Sequence, residues 1–171
     1  MGRARSSFVL SGTDGSLGTV RQTTGLNGPE SVVVDRLGKF LYVVSDDDNI
    51  YAFNINQTDG TLTPSSTPTY ALASGSGPIG ATIDPSNKYL FVANVLTNTV
   101  SAFTIGANGI LGNPSTLTVT GATFVFNVVV NPSTKFLYLL DAGDSTTTPL
   151  PTLAAVYAYR LAQTVPSTRR Q

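Results

Sequence analysis

Short apolar runs alternate along this chain with clusters of Gly, Pro, Asp, Asn and Ser. Val, Ile, Tyr, Phe and Thr dominate the runs, and Asp-Gly, Asn-Gly, Gly-Pro and Asp-Pro pairs punctuate them. β-Branched and aromatic side chains suit a pleated strand, while those dipeptides supply the backbone angles of tight turns. No window carries the period of an amphipathic helix. The pattern predicts an all-β chain.

The pattern also repeats. Ser31-Val32-Val33-Val34-Asp35 is followed, after a turn through Gly38, by Lys39-Phe40-Leu41-Tyr42-Val43-Val44-Ser45. Gly80-Ala81-Thr82-Ile83-Asp84-Pro85 leads in the same way to Lys88-Tyr89-Leu90-Phe91-Val92-Ala93-Asn94. A third copy, Val128-Val129-Val130-Asn131-Pro132, leads to Lys135-Phe136-Leu137-Tyr138-Leu139-Leu140-Asp141. Lys39, Lys88 and Lys135 lie 49 and 47 residues apart. Asn49-Ile50-Tyr51-Ala52-Phe53 matches Asn98-Thr99-Val100-Ser101-Ala102-Phe103, and Asp59-Gly60-Thr61-Leu62 matches Asn108-Gly109-Ile110-Leu111. Asp14-Gly15-Ser16-Leu17 is an earlier copy of that element, and Gly28-Pro29 and Gly77-Pro78 open consecutive repeats.

A period of 40–50 residues holding four short strands is the signature of β-propeller blades. In the first complete unit the strands are predicted at about 31–35, 39–45, 49–56 and 61–72. The innermost strand, with Val32-Val33-Val34, is expected to be packed on both faces between neighbouring blades. The reading is a single partial propeller over residues 6–162. Residues 6–28 end one blade, 29–77 and 78–122 are full blades, 123–162 form an incomplete blade, and 163–171 are a tail. Phe8 aligns with Phe53, so the chain opens in the third strand of a blade, and thirteen strands are expected against about twenty-eight for seven four-stranded blades.

Composition narrows the chemistry. With 41% hydrophobic residues a packed body is expected, and 12% charged residues with zero net charge do not make the cationic surface that nucleic acid demands. The absence of Cys excludes disulfides and thiolate metal sites, and the absence of His excludes Ser-His-Asp catalysis and imidazole-ligated metals. No cofactor or metal is expected. No apolar run is long enough for a membrane span or the core of a signal peptide. Few Lys and abundant Thr, Ser, Asn and Gly suit a secreted or periplasmic bacterial protein.

The repeats resemble the lactonase-like seven-bladed propellers, which include 6-phosphogluconolactonase-type and Tyr-Val-Thr-Asn repeat proteins within the wider WD40-like architecture. Tyr42-Val43-Val44-Ser45, Phe91-Val92-Ala93-Asn94 and Tyr138-Leu139-Leu140-Asp141 are variants of the Tyr-Val-Thr-Asn element. Asp84-Pro85-Ser86-Asn87-Lys88 and Asn131-Pro132-Ser133-Thr134-Lys135 are similar to the family's Asp-Pro-Asp-Gly-Lys turn, and Asp141-Ala142-Gly143-Asp144 to its Asp-x-Gly-x-Asp loop. Such lactonases often place His after the Pro that opens a blade; here Glu30 follows Pro29 and Ile79 follows Pro78.

Ligands of a propeller meet the loops at one end of its channel. The candidate binding residues on those loops are Glu30, Asp46, Asn94, Asp141 and Asp144, together with the insertion at 145–152. Asp46-Asp47-Asp48 is weighed as a Ca²⁺ site and read instead as a solvated hairpin turn, since its spacing fits no EF-hand. The recurrent aromatics Tyr42, Phe53, Phe91, Phe103, Tyr138 and Tyr159 are read as packing between blades rather than as a sugar platform. Lacking His and Cys, the chain is expected to be a non-catalytic module that binds a protein or carbohydrate partner, as part of a longer protein or as a homodimer that completes a ring. The alternative is a sugar-lactone hydrolase of the 6-phosphogluconolactonase type. For that chemistry Arg36, Lys39 and Lys88 are the available cations, at the opposite end of the ring from the acids.

Overall fold

The computed structural model describes residues 5–10, 17–143 and 153–161. Within them the chain is all-β, with thirteen strands in four antiparallel sheets. β1 (Arg5–Leu10) pairs with β2 (Leu17–Thr23). β3 (Pro29–Val34), β4 (Phe40–Ser45), β5 (Asn49–Ile55) and β6 (Leu62–Ala71) form a meander. β7 (Pro78–Ile83), β8 (Tyr89–Asn94), β9 (Thr99–Thr104) and β10 (Ser115–Thr118) form a second. β11 (Val125–Val130), β12 (Phe136–Asp141) and β13 (Ala155–Arg160) form a three-stranded sheet. The predicted strands of the first complete unit agree with β3–β6 to within two residues at each end. Asp14, Gly15, Ser16, Asp144, the insertion at 145–152 and the tail lie outside the described residues.

A single device builds the first hairpin of each complete or nearly complete sheet. Asp35, Asp84 and Asn131 each receive two backbone N–H groups on one Oδ1. The donors are Lys39 and Phe40 at 2.6 and 2.7 Å, Lys88 and Tyr89 at 2.8 and 2.7 Å, and Lys135 and Phe136 at 2.9 and 3.0 Å. The residue before each Lys is left-handed: Gly38, Asn87 and Thr134 have φ of 67°, 60° and 56°. These side chains occupy turn N–H groups that the strand ladder leaves unpaired, which explains the recurrent Asp/Asn-x-x-x-Lys phrase. The turns also join neighbouring sheets, because Asn87 Oδ1 accepts from Arg36 N at 2.8 Å while its Nδ2 donates to Asp35 at 3.2 Å.

Strand alternation assigns each side chain of a second strand to one neighbour. Tyr42 and Val44 of β4 pack with Leu90 and Val92 of β8 in a cluster completed by Ile50, Ala52 and Phe103. Phe91 and Ala93, on the other face of β8, pack with Leu137 and Leu139 of β12. Leu26, Val43 and Phe53 form a third cluster on the rear face of the β3–β6 sheet. Polar contacts cross the same boundary: Tyr42 Oη donates to the Gly109 carbonyl at 2.7 Å, and Leu111 N donates to Tyr70 Oη at 3.0 Å. Burial, reinforced by the charge of Asp35, holds the Tyr42 phenol well above its ordinary pKa. Inner strands approach closely where Gly80 faces β11, since a Cβ there would stand 2.6 Å from the Phe126 carbonyl oxygen.

The innermost strand departs from expectation. Val33 packs into the first cluster, but Val32 and Val34 are 44% and 47% exposed. Val32 stands opposite Val43, on the rear face, where the preceding two-stranded sheet supplies no inner strand. Two-sided burial requires a full blade on each side, and among the described residues β3 has one.

Candidate functional site

Each blade opens with the same irregularity. Pro29 pairs with Ser45 and Ser31 with Val44, so Glu30 is an extra residue; Ile79 and Phe126 are the extra residues at the same point of β7 and β11. A β-bulge of this kind lifts one side chain out of the regular alternation and re-aims it, and such bulges cluster beside binding sites. Glu30 is exposed at its bulge, directly after Pro29.

Glu30 and Asp46 line a cleft of about 270 Å³ together with Gly77, Pro78, Ile79, Val95 and Leu96. Two consecutive blades build it from matching parts. Asp46 N donates to the Gly28 carbonyl at 2.8 Å, and Val95 N donates to that of Gly77 at 2.9 Å. The Asp46 side chain lies directly over the left-handed Gly28 (φ 51°), and Leu96 lies over Gly77. The walls are therefore largely apolar, with two carboxylates placed on them. The cleft is open to solvent, and an acid on its wall can address an atom of a small molecule that rests against it.

The structure disperses the remaining candidates. Asn94 is buried opposite Pro78 in the ladder, its Nδ2 donating to Thr99 Oγ1 at 3.0 Å and Ser101 Oγ at 2.9 Å, while its Oδ1 meets no protein partner. Asp141 is also buried and acts as a loop clamp. Its carboxylate accepts from Phe124 N at 2.8 Å, Gly143 N at 3.1 Å and Thr123 N at 3.2 Å. Asp144 and the insertion at 145–152 lie outside the described residues. Arg36, Lys39 and Lys88 stand on the β3–β4 and β7–β8 turns. The length of β4 separates Lys39 from Asp46, which at strand rise is about 20 Å.

The acidic triplet is the hairpin turn between β4 and β5 that its sequence suggested, with Asp46 exposed, but the other two carboxylates are engaged by the protein. Asp47 accepts a 2.6 Å hydrogen bond from Tyr51 Oη, and that bond, with burial, pushes the Tyr51 pKa up to about 12. Asp48 is left-handed at φ 60° and reaches across to the segment that opens the next blade. Its carboxylate accepts from Gly75 N at 2.6 Å, Ser76 N at 3.0 Å, Ser76 Oγ at 2.9 Å and Gly77 N at 3.1 Å. Desolvation alone would raise its pKa, but these donors outweigh it and hold the carboxyl below the usual Asp value. Asn98, left-handed at φ 52°, makes the equivalent reach to Val125 N at 3.2 Å. The alignment of Asp48 with Asn98 was the available signal, and it was obscured because the second hairpin is one residue longer. Among the described residues no three acidic side chains converge as metal ligands.

Repeated four-stranded antiparallel meanders, packed face to face through alternate residues of their second strands, define a β-propeller. The chain belongs to the family of lactonase, 7-bladed beta-propeller proteins, whose pattern matches residues 4–148. It is 30% identical over 136 residues to a 6-phosphogluconolactonase of Serratia proteamaculans (strain 568), a match that covers 74% of this chain and 40% of that protein. A candidate 6-phosphogluconolactonase from Bacteroides fragilis superposes with a TM-score of 0.69 at 22% identity, over 89% of this chain and 51% of that one. The periplasmic gluconolactonase of Pseudomonas aeruginosa gives 0.69 at 19% identity, over 80% and 42%. The chain thus spans about half the length of these relatives or less.

Proposed function

We propose that this chain is part of a propeller that hydrolyses a sugar lactone, in the manner its Serratia relative's name indicates. The observation that carries the reading is the family match across residues 4–148, which includes both carboxylates of the cleft. This preference reverses the one drawn from the missing His, because a carboxylate can serve as general base for an ester as reactive as a lactone. Glu30 or Asp46 would take a proton from water as its oxygen attacks the lactone carbonyl. The tetrahedral intermediate then collapses, the ring C–O bond breaks, and the ring oxygen is protonated to give the open hydroxy acid. With Arg36, Lys39 and Lys88 at the far end of the strands, recognition of a phosphate falls to other blades, so an unphosphorylated aldonolactone is the substrate this cleft suits by itself. A periplasmic or extracellular location belongs to the same proposal, supported by the periplasmic gluconolactonase of Pseudomonas among the structural neighbours.

The test is pH-stat hydrolysis of gluconolactone and its 6-phosphate, corrected for spontaneous opening, with the parent chain, Glu30→Gln and Asp46→Asn. General-base catalysis contributes roughly 10²–10⁴-fold, so one of the two variants should lose at least about 100-fold while keeping its circular dichroism. Turnover equal in all three proteins would remove the cleft from the chemistry. Capture of a protein or glycan without any turnover would restore the binding-module reading.

A further inference from the structure

We propose that Asn27-Gly28, the pair beneath Asp46 of the cleft, is a self-modification site at which Asn27 loses its amide and becomes aspartate or isoaspartate. An Asn is most open to this reaction when Gly follows, because no side chain stops the next backbone nitrogen from folding back onto the carboxamide. Only Asn27 and Asn108 are followed by Gly in this chain. The two pairs read alike in the sequence, and the fold separates them.

Asn108-Gly109 is pinned. Gly109 N donates to the Gly106 carbonyl at 2.9 Å, Asn108 Oδ1 accepts from Ile110 N at 3.3 Å, and the Gly109 carbonyl accepts from Tyr42 Oη at 2.7 Å. Gly109 is also buried against Phe40, whose ring would stand 2.4 Å from a Cβ placed there. The nitrogen that would attack is therefore engaged, and its backbone has no room to turn. Asn27 instead lies exposed in the bend between β2 and β3. Among the described residues no hydrogen bond holds its carboxamide or the Gly28 N–H. The contacts that fix this bend fall on either side of the reacting atoms. The Asn27 N–H is directed to Tyr51 Oη, and the Gly28 carbonyl accepts from Asp46 N at 2.8 Å.

In the reaction the Gly28 nitrogen gives its proton to hydroxide and attacks Asn27 Cγ. The new C–N bond closes a cyclic imide as the Cγ–Nδ2 bond breaks, and ammonia leaves with a proton from water, which restores the hydroxide. Water then opens the imide. Cleavage between the nitrogen and Cγ leaves an aspartate; cleavage at the other carbonyl routes the chain through the side chain as isoaspartate. Either product moves the formal net charge from zero to minus one. Isoaspartate also lengthens the backbone by one methylene directly before Gly28, whose carbonyl anchors Asp46.

The experiment is incubation of the folded chain at neutral and mildly alkaline pH, with ion exchange to collect acidic species and peptide mapping to place the amide-to-acid mass change. A parallel incubation is made in urea. In the folded chain, conversion at Asn27 should outrun that at Asn108 by about tenfold or more, since the Asn108 hairpin must first open. The rate at Asn27 should climb with pH in step with hydroxide. In urea the two sites should convert at similar rates. Asn27→Gln should remove the early acidic species, and Asn108→Gln should leave it. Mapping of the parent chain decides the matter even where a variant folds poorly. Conversion at Asn108 as fast as at Asn27 in the folded chain, an Asn27 that converts only in urea, or an early acidic species that survives Asn27→Gln would overturn the proposal.

Discussion

Asp48 should hold successive blades together, and its replacement separates two contributions to that role. The carboxylate accepts three backbone N–H groups and one hydroxyl from Gly75, Ser76 and Gly77. Hydrogen bonds to a charged acceptor contribute about 1.5–3 kcal/mol each when buried, but this site is half-exposed, so the whole set is worth about 2 kcal/mol. The left-handed backbone at φ 60° is a second contribution, because an Ala there costs about 1 kcal/mol more than a Gly. Asp48→Gly should therefore lose about 2 kcal/mol, Asp48→Ala about 3, and Asp48→Asn, which keeps an acceptor and tolerates this backbone, about 1. The assay is urea unfolding at fixed protein concentration, followed by tyrosine fluorescence in this Trp-free chain. With a slope near 2 kcal/mol/M the Ala variant should shift the midpoint by about 1.5 M. The pH dependence has a definite sign. Because the folded pKa is depressed, the ionic part of this stability is present above the unfolded pKa of about 3.9 and disappears as acid passes through the lower folded value. The gap between parent and Asp48→Asn should close over that acidic window. If Asp48→Gly were as stable as the parent, or Asp48→Ala no worse than Asp48→Gly, the clamp would be refuted.

Three further outcomes follow from single contacts. Asp84→Asn should cost under about 1 kcal/mol, since Asn131 does the same work in the next sheet, whereas Asp84→Leu takes the acceptor from two part-buried turn N–H groups and should cost about 1–3 kcal/mol by thermal melting. Tyr51 keeps its proton up to about pH 12 when folded, so it contributes stability below pH 10 that is lost as pH rises through the folded value. Phenolate absorbance at alkaline pH should show late-titrating tyrosines, of which Tyr51→Phe removes one and leaves Tyr42. Gly28→Ala would set a Cβ about 1.4 Å from Asp46 Oδ1 on a left-handed backbone, and should cost about 2 kcal/mol and displace Asp46 from the cleft. A Gly28→Ala chain with parental stability and lactone turnover would contradict that geometry.

Sequence alone determined the architecture. Strand-forming runs, the 49-residue interval between Lys39 and Lys88 and the Asp/Asn-x-x-x-Lys turns specify hairpins locally, because each turn satisfies its own backbone through one side chain. A strand fixes only which residues share a face, and what covers that face belongs to the neighbouring sheet. Tyr42 and Tyr138 therefore read identically in the chain, yet one is buried and the other 36% exposed. The pairing of Glu30 with Asp46 was visible as two acids near one end of a blade, but the apolar walls come from Pro78, Ile79, Val95 and Leu96 of the next one. Asp48 and Asp141 looked like turn or site acids and became clamps, because their partners are backbone N–H groups, which no residue name records. Tertiary packing decided those roles, since a carboxylate binds whatever donors the fold brings within about 3 Å of it.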